Sequence, residues 1–155
     1  MRCNKQAGWT LLEMLFVVAL LILMSAMSIP IITSSLAYFR LQSAVAAVSG
    51  AVQTTRYQAI SKGYPFQVTF TKADSSFQVL SDPTASGSFT VPAGVVKTPF
   101  SNGTVALDAD KTFTFRPSGN VTVTSGVMPS ALTLTGSRTA VLTVSQYGNI
   151  TTTVQ

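Results

Sequence analysis

The hydrophobic pattern of the chain changes along its length, beginning with a long apolar run near the N-terminus. Residues 14–32 contain no charged side chain, and a helix of that length spans roughly 28 Å, close to the thickness of a bilayer core. Apolar and small residues then recur at three- and four-residue steps, which predicts that an amphipathic helix follows. These positions are Tyr38, Leu41, Val45, Val48, Val52, Thr55 and Ala59.

The period of the pattern changes to two after a stop signal formed by Gly63 and Pro65. Alternation of apolar and polar residues is typical of half-buried strands, and glycine, proline and asparagine mark turns between the segments. The predicted strands are 66–70, 76–80, 88–91, 104–107, 113–116, 121–124, 131–135, 140–144 and 150–154. The sequence therefore predicts an α+β fold, in which a long N-terminal helix packs on a small antiparallel β-sandwich or meander. Arg56 and Lys62 on the helix are expected to face solvent.

Composition and charge restrict the functions that the protein can have. Only 10% of the 155 residues are charged, and the net charge is +5. Arg2 and Lys5 precede the apolar run, so the positive-inside rule predicts a cytoplasmic N-terminus and a head across the membrane. Cys3 is the single cysteine and histidine is absent, which excludes an intrachain disulfide and a histidine base.

The sequence offers no catalytic or metal-binding constellation. No serine lies in a G-x-S-x-G motif. The closest pair of acids, Asp108 and Asp110, supplies too few oxygens for calcium, which prefers six to eight. We therefore predict a protein that is not an enzyme and that has no metal or cofactor.

The segment GWTLLEML, residues 8–15, resembles the processing site of type IV prepilins and type II secretion pseudopilins. The resemblance implies that a prepilin peptidase cleaves after Gly8 and methylates the new N-terminus at Trp9, where the family usually has phenylalanine. It also implies that Glu13 acts in filament assembly and that Pro30 kinks the helix. The helix would be bent because proline removes a backbone donor.

Glu13 has a physical reason to be present in such a filament. An ionised carboxylate that enters an apolar helix bundle needs a partner, and the new amine at Trp9 of a neighbouring subunit supplies a positive charge. Pairing also fixes the register of the helix, because the charges are satisfied at one position only.

Parts of the remaining chain resemble the H-type minor pseudopilins and related minor pilins. These are the helix exit and first strand (41–70), FTFRPSGNV (113–121) and VSQYGNI (144–150). The resemblance implies a cleaved leader (1–8), a transmembrane and filament-core helix (9–35), an amphipathic helix half (36–63) and a β-rich head (64–155). It further implies a single-pass protein of the bacterial inner membrane with a periplasmic head. This protein would contact lipid before assembly and other pilin or pseudopilin subunits in a filament or at its tip.

Three alternatives to this assignment remain open at the level of sequence. A DNA-uptake filament would use the candidate phosphate contacts Lys97, Lys111, Arg116 and Arg138. An ordinary secretory signal peptide would end near the small residues at 26–28 and release a β-domain with an unknown binding role. A simple membrane anchor carrying the same β-domain is the third. The choice between secretion system, pilus and DNA uptake is not encoded in these motifs.

Overall fold

The structure, a computed structural model, describes residues 9–124 and 126–155, and the side chains at 27–31 lie outside that description. A single helix, α1, runs from Leu11 to Lys62. Thr10 is its N-cap, because the Oγ1 of Thr10 accepts a hydrogen bond from the backbone nitrogen of Glu13 at 3.2 Å. It ends where Gly63, at φ 76°, donates to the carbonyl of Ala59.

The chain divides into two compact units, one ending at Leu36 and the other comprising Ala37–Gln155. The second, called here the head unit, contains the C-terminal half of α1 and every strand of the described chain. These strands are β1 (Phe66–Thr71), β2 (Ser76–Ser81), β3 (Thr98–Pro99), β4 (Ala106–Leu107), β5 (Lys111–Phe115), β6 (Val121–Val123), β7 (Ser130–Thr135), β8 (Thr139–Val144) and β9 (Ile150–Val154).

The strands form two antiparallel sheets. The first has the order β3-β2-β1-β5-β6 and the second the order β4-β7-β8-β9. The sheets meet where the backbone nitrogen of Val121 donates to the carbonyl of Gln146 at 2.8 Å. The predicted α+β fold, a long N-terminal helix with an antiparallel β-rich head, is confirmed.

Most predicted strands are present within one or two residues of their predicted bounds, but the strand predicted at 88–91 is wrong. Only Thr90 in that segment pairs, through an isolated bridge to Ser81. Gly87 adopts φ 85° on one side and Pro92 lies on the other, so the segment is too short to extend the ladder. The short strand β3 was not predicted, because two residues carry no periodic signal.

One hydrophobic core joins α1 to both sheets. The helix contributes a buried stripe of mostly small residues, namely Leu41, Ala44, Val48, Ala51, Val52, Thr55 and Ala59. Thr55 is enclosed, and its hydroxyl donates to the carbonyl of Ala51 at 2.7 Å, so its burial leaves no unpaired donor. The predicted stripe is buried except at Tyr38, which is exposed, and at Val45, which lies at the margin of the core; Ala44 and Ala51 belong to the stripe in addition.

The strand β2 departs from the expected alternation of buried and exposed residues. Phe77 and Val79 share the core-facing side with Val68 and Phe70 of β1 but are only half-buried. They line an open groove of about 590 Å³, whose other wall includes the helix residue Thr54. The core is therefore complete under β1 and β5 and incomplete under β2.

Strand β9 forms a free edge of the second sheet, since β8 is its one neighbour in the sheet order. Thr139 and Gln155 exchange both backbone hydrogen bonds, which sets the register of the pair. Backbone groups of Ile150, Thr152 and Val154 consequently point away from β8. The strand carries no charge and no proline, the two features that commonly protect sheet edges from pairing with another chain.

Asp82 organises the loop that follows β2. Its side chain is buried, and its carboxylate accepts hydrogen bonds from the backbone nitrogens of Ser86 and Gly87 at 3.2 and 2.7 Å and from the Thr84 hydroxyl at 3.1 Å. Burial raises the pKa of Asp82, but these hydrogen bonds outweigh burial and hold its pKa below the ordinary value. The ionised form is therefore the one that the fold stabilises.

This carboxylate gives the head a pH dependence with a definite sign. A lowered pKa in the folded state contributes stability above the unfolded pKa of about 3.9, and that contribution is lost as the pH falls through the folded value. We expect Asp82→Asn to lower the free energy of unfolding at neutral pH and to reduce its decline below pH ~4. Denaturant unfolding at a series of pH values measures both effects. A variant as sensitive to acid as the parent chain would show that another group is responsible.

Candidate functional site

The N-terminal part of α1 exposes a continuous apolar surface. Trp9 is 68% exposed, and the following side chains are also exposed: Leu11, Leu12, Met14, Leu15, Phe16, Val17, Val18, Leu20, Leu21, Ile22, Leu23 and Met24. Glu13 is exposed among them, and within the described part of the chain its carboxylate has no hydrogen bond or ion pair. An apolar surface of this extent is unusual on an isolated subunit and marks a contact surface.

Two predicted sites fall on parts of the chain outside the description. Gly8 and the rest of the leader (1–8) precede the first described residue. Pro30 lies within α1, but its side chain is one of those not described. Among the described residues, no helix combines the length and the apolarity that crossing a membrane requires. Cleavage after Gly8, the kink at Pro30 and the membrane-spanning role of 9–35 remain predictions.

The four candidate phosphate contacts have different surroundings. Lys97 forms an ion pair with Asp74, and Lys111 donates to the hydroxyl of Ser130 at 3.3 Å. The guanidinium carbon of Arg138 lies 5.6 Å from the ring centroid of Tyr38, in cation–π contact.

These cations do not form one surface. Arg138 contacts Tyr38, near the start of the helix half in the head unit, whereas Arg116 lines a cavity together with Gly63 at its other end. At about 1.5 Å per residue, Tyr38 and Gly63 are roughly 37 Å apart along the helix direction. A continuous phosphate-binding track would need closer spacing, so the arrangement does not favour the DNA-uptake alternative.

The three head segments singled out by sequence resemblance meet at Arg56. The β5–β6 turn closes between Arg116 and Asn120 and contains Gly119 at φ 84°. The β8–β9 turn closes on Ser145 and contains Gly148 at φ 75°. Both glycines lie against the Arg56 side chain, so the helix and both turns converge there.

Arg56 does not face solvent freely as the sequence predicted. A Cβ on Gly148 would lie 2.7 Å from Cδ and 3.0 Å from Nε of Arg56. Nε is enclosed and has no hydrogen-bond partner among the described residues. The prediction was wrong because the long aliphatic stem fills the space that two glycine turns leave open.

This packing predicts that Gly148→Ala destabilises the head more than a glycine substitution at an open turn does. The new methyl group meets the Arg56 stem and also takes a left-handed backbone conformation, which costs about 1–2 kcal/mol by itself. Gly94→Ala is the matched control, because Gly94 has φ 83° and nothing near its Cβ position. Denaturant unfolding should give the larger loss for Gly148→Ala. Equal losses would show that the contact with Arg56 is unimportant.

Residues 44–148 match the family model described as type II transport protein GspH. The type IV minor pilin FimU of Pseudomonas aeruginosa strain PAO1 has a similar fold in two crystal forms. The first form has a TM-score of 0.53 at 23% identity and covers 72% of this chain and 86% of that chain. The second has a TM-score of 0.50 at 22% identity and covers 72% and 91%. No curated protein matches the chain.

The family match covers two thirds of the sequence and includes the convergence of α1, Gly119 and Gly148 at Arg56. The FimU structures agree with the observed order of a long N-terminal helix followed by antiparallel sheets. The chain therefore belongs to the GspH family of type II transport proteins.

Proposed function

We propose that the protein is a minor pilin or pseudopilin subunit that helps to initiate or cap a type II secretion pseudopilus or a type IV pilus. A prepilin peptidase removes the leader after Gly8 and methylates Trp9. The helix 9–35 anchors the subunit in the inner membrane, with the N-terminus in the cytoplasm and the head in the periplasm, and later enters the filament core. The role is mechanical and recognitional, with no catalytic step.

The observation that carries the proposal is the unpaired carboxylate of Glu13 on an exposed apolar helix, joined to a head of the GspH family. A free subunit gains nothing from exposing these side chains to water. The surface is consistent with burial first in lipid and then among other helices, since both environments are apolar. The uncharged run 14–32 and the basic residues Arg2 and Lys5 support the same orientation.

Glu13 has one role in the isolated subunit and a second role in the proposed filament. In the subunit its backbone nitrogen donates to the N-cap side chain of Thr10, and its charge lies in the first turn of the helix, where the dipole favours an anion. In the filament its carboxylate would pair with the methylated amine at Trp9 of a neighbour. The two roles can be separated by substitution.

We expect Glu13→Ala to be exported and processed but to enter filaments poorly. Removing one member of a buried ion pair costs about 3–5 kcal/mol, which is more than a hundredfold in an equilibrium constant. Quantitative immunoblotting of sheared filaments against total membrane protein measures the incorporated fraction. Normal incorporation of the variant would contradict the pairing role.

Thr10→Val is the matched control for this experiment, because it removes the hydroxyl that caps α1 and keeps the Glu13 charge. If Glu13 serves assembly through its carboxylate, Thr10→Val subunits are incorporated far better than Glu13→Ala subunits. Equal defects in the two variants would assign the effect to the start of the helix.

The leader cleavage is tested independently by Gly8→Glu. A charged, bulky residue at the proposed cleavage position should block the peptidase, so the purified protein should retain its full precursor mass. Mass spectrometry of the parent chain should show loss of residues 1–8 and one added methyl group on Trp9. A variant of the same mature mass as the parent would refute the site, and a parent beginning at Ile29 would favour a secretory signal peptide.

A further inference from the structure

The Arg56 side chain is held by two turns, and its positive charge has no counter-ion in the described part of the chain. The Gly148 turn covers its stem and the Gly119 turn approaches one terminal nitrogen, since a Cβ on Gly119 would lie 4.0 Å from Nη2. Nε is enclosed without a partner, whereas the two terminal nitrogens are not enclosed. No acceptor for either terminal nitrogen is found among residues 9–124 and 126–155. A guanidinium held in this way is oriented before any ligand arrives.

The acidic side chains of the head are all engaged elsewhere. Asp74 pairs with Lys97, and Asp82 holds the loop after β2. Asp108 accepts from the backbone nitrogen of Ala109 at 2.8 Å, and Asp110 from that of Lys72 at 2.7 Å. Within the described part of the chain, the head therefore provides Arg56 with no counter-ion of its own.

The surroundings of Arg56 resemble the centre of a protein interface in composition. Tyr57 and Ile60, one and four residues further along α1, are exposed, and so is Tyr147, the neighbour of Gly148 in the β8–β9 turn. Arginine and tyrosine are enriched at the residues that dominate binding energy, and an apolar rim keeps water from a charged contact. Ile60 also contacts the Gly119 position, so the rim is continuous with the turn.

We infer that Arg56 binds a carboxylate side chain, from Asp or Glu, presented by a different subunit and flanked there by apolar residues. The partner carboxylate approaches the terminal guanidinium nitrogens, since Nε is closed to it. Tyr57, Ile60 and Tyr147 contact the flanking apolar groups. The identity of the partner as another filament subunit rests on the proposed function, whereas the carboxylate preference rests on this geometry alone.

The test uses the full chain, labelled with nitrogen-15, in detergent micelles. The probe is the capped peptide acetyl-Leu-Glu-Leu-amide, and the control probe is its glutamine analogue. We expect the glutamate peptide to shift the Arg56 Nε–Hε resonance and the amides of Gly119 and Gly148 in a saturable way. The glutamine peptide should not do so at equal concentration. Absence of a saturable shift up to millimolar peptide, or equal shifts with both peptides, overturns the proposal.

Two variants separate binding from folding. Arg56→Met keeps a long apolar stem and removes the charge, so binding should weaken about tenfold or more, on the scale of a hydrogen bond to a charged group. Arg40→Met is the matched control, because Arg40 is another arginine of α1 but is exposed, and its removal should leave binding unchanged. If Arg40→Met weakens binding equally, the contact is nonspecific attraction and the proposal fails.

An oligonucleotide titration addresses the other anionic class of ligand. A single-stranded oligonucleotide that shifts the same resonances at lower concentration than the peptide would assign the site to phosphate and overturn the carboxylate assignment. Filament incorporation does not enter either titration. The titrations can therefore contradict the carboxylate site without contradicting the proposed filament role, and a failure of the filament role would leave the carboxylate site untouched.

Discussion

The contact between the C-terminal half of α1 and the two sheets is the constraint on which the head depends. Its stripe contains Ala44, Ala51, Thr55 and Ala59, whose small side chains let both sheets approach one helix closely. With no disulfide available, burial of this stripe against apolar strand residues is the main source of stability. The same closeness brings the turns of the two sheets together on the helix surface, which forms the surroundings of Arg56.

Periodicity predicted the fold well where the pattern was long. The helical stripe from Leu41 to Ala59 and the alternating strands around Phe70 and Phe113 are buried as expected, because in each case a regular element has one face that must leave water. It failed at 88–91, where four residues of strand-like sequence lie between Gly87 and Pro92. The composition of a four-residue segment does not decide whether it can pair along its length with a neighbouring strand.

Candidate site residues could be predicted only where the signal lies in a short contiguous segment of sequence. The roles predicted for Glu13 and Trp9 come from a contiguous motif and stay predictions, whereas the N-cap bond between Thr10 and Glu13 is observed. Arg56 was expected to face solvent because a helical cation between polar neighbours usually does. Its packing depends on Gly119 and Gly148, which are 63 and 92 residues away in sequence, and nothing in their local sequence indicates that they contact the same side chain.

Strand β9 has a consequence for the behaviour of the chain outside its assembly. Only the geometry of its free edge limits which chains can pair with it, because neither charge nor proline prevents another extended chain from pairing with Ile150, Thr152 and Val154. If the heads are held at one membrane, as proposed above, their effective concentration is high and even weak edge pairing becomes populated. Overproduction without companion subunits is therefore expected to lead to sheet-mediated self-association, and correct stoichiometry of the subunits becomes a condition for solubility as well as for assembly.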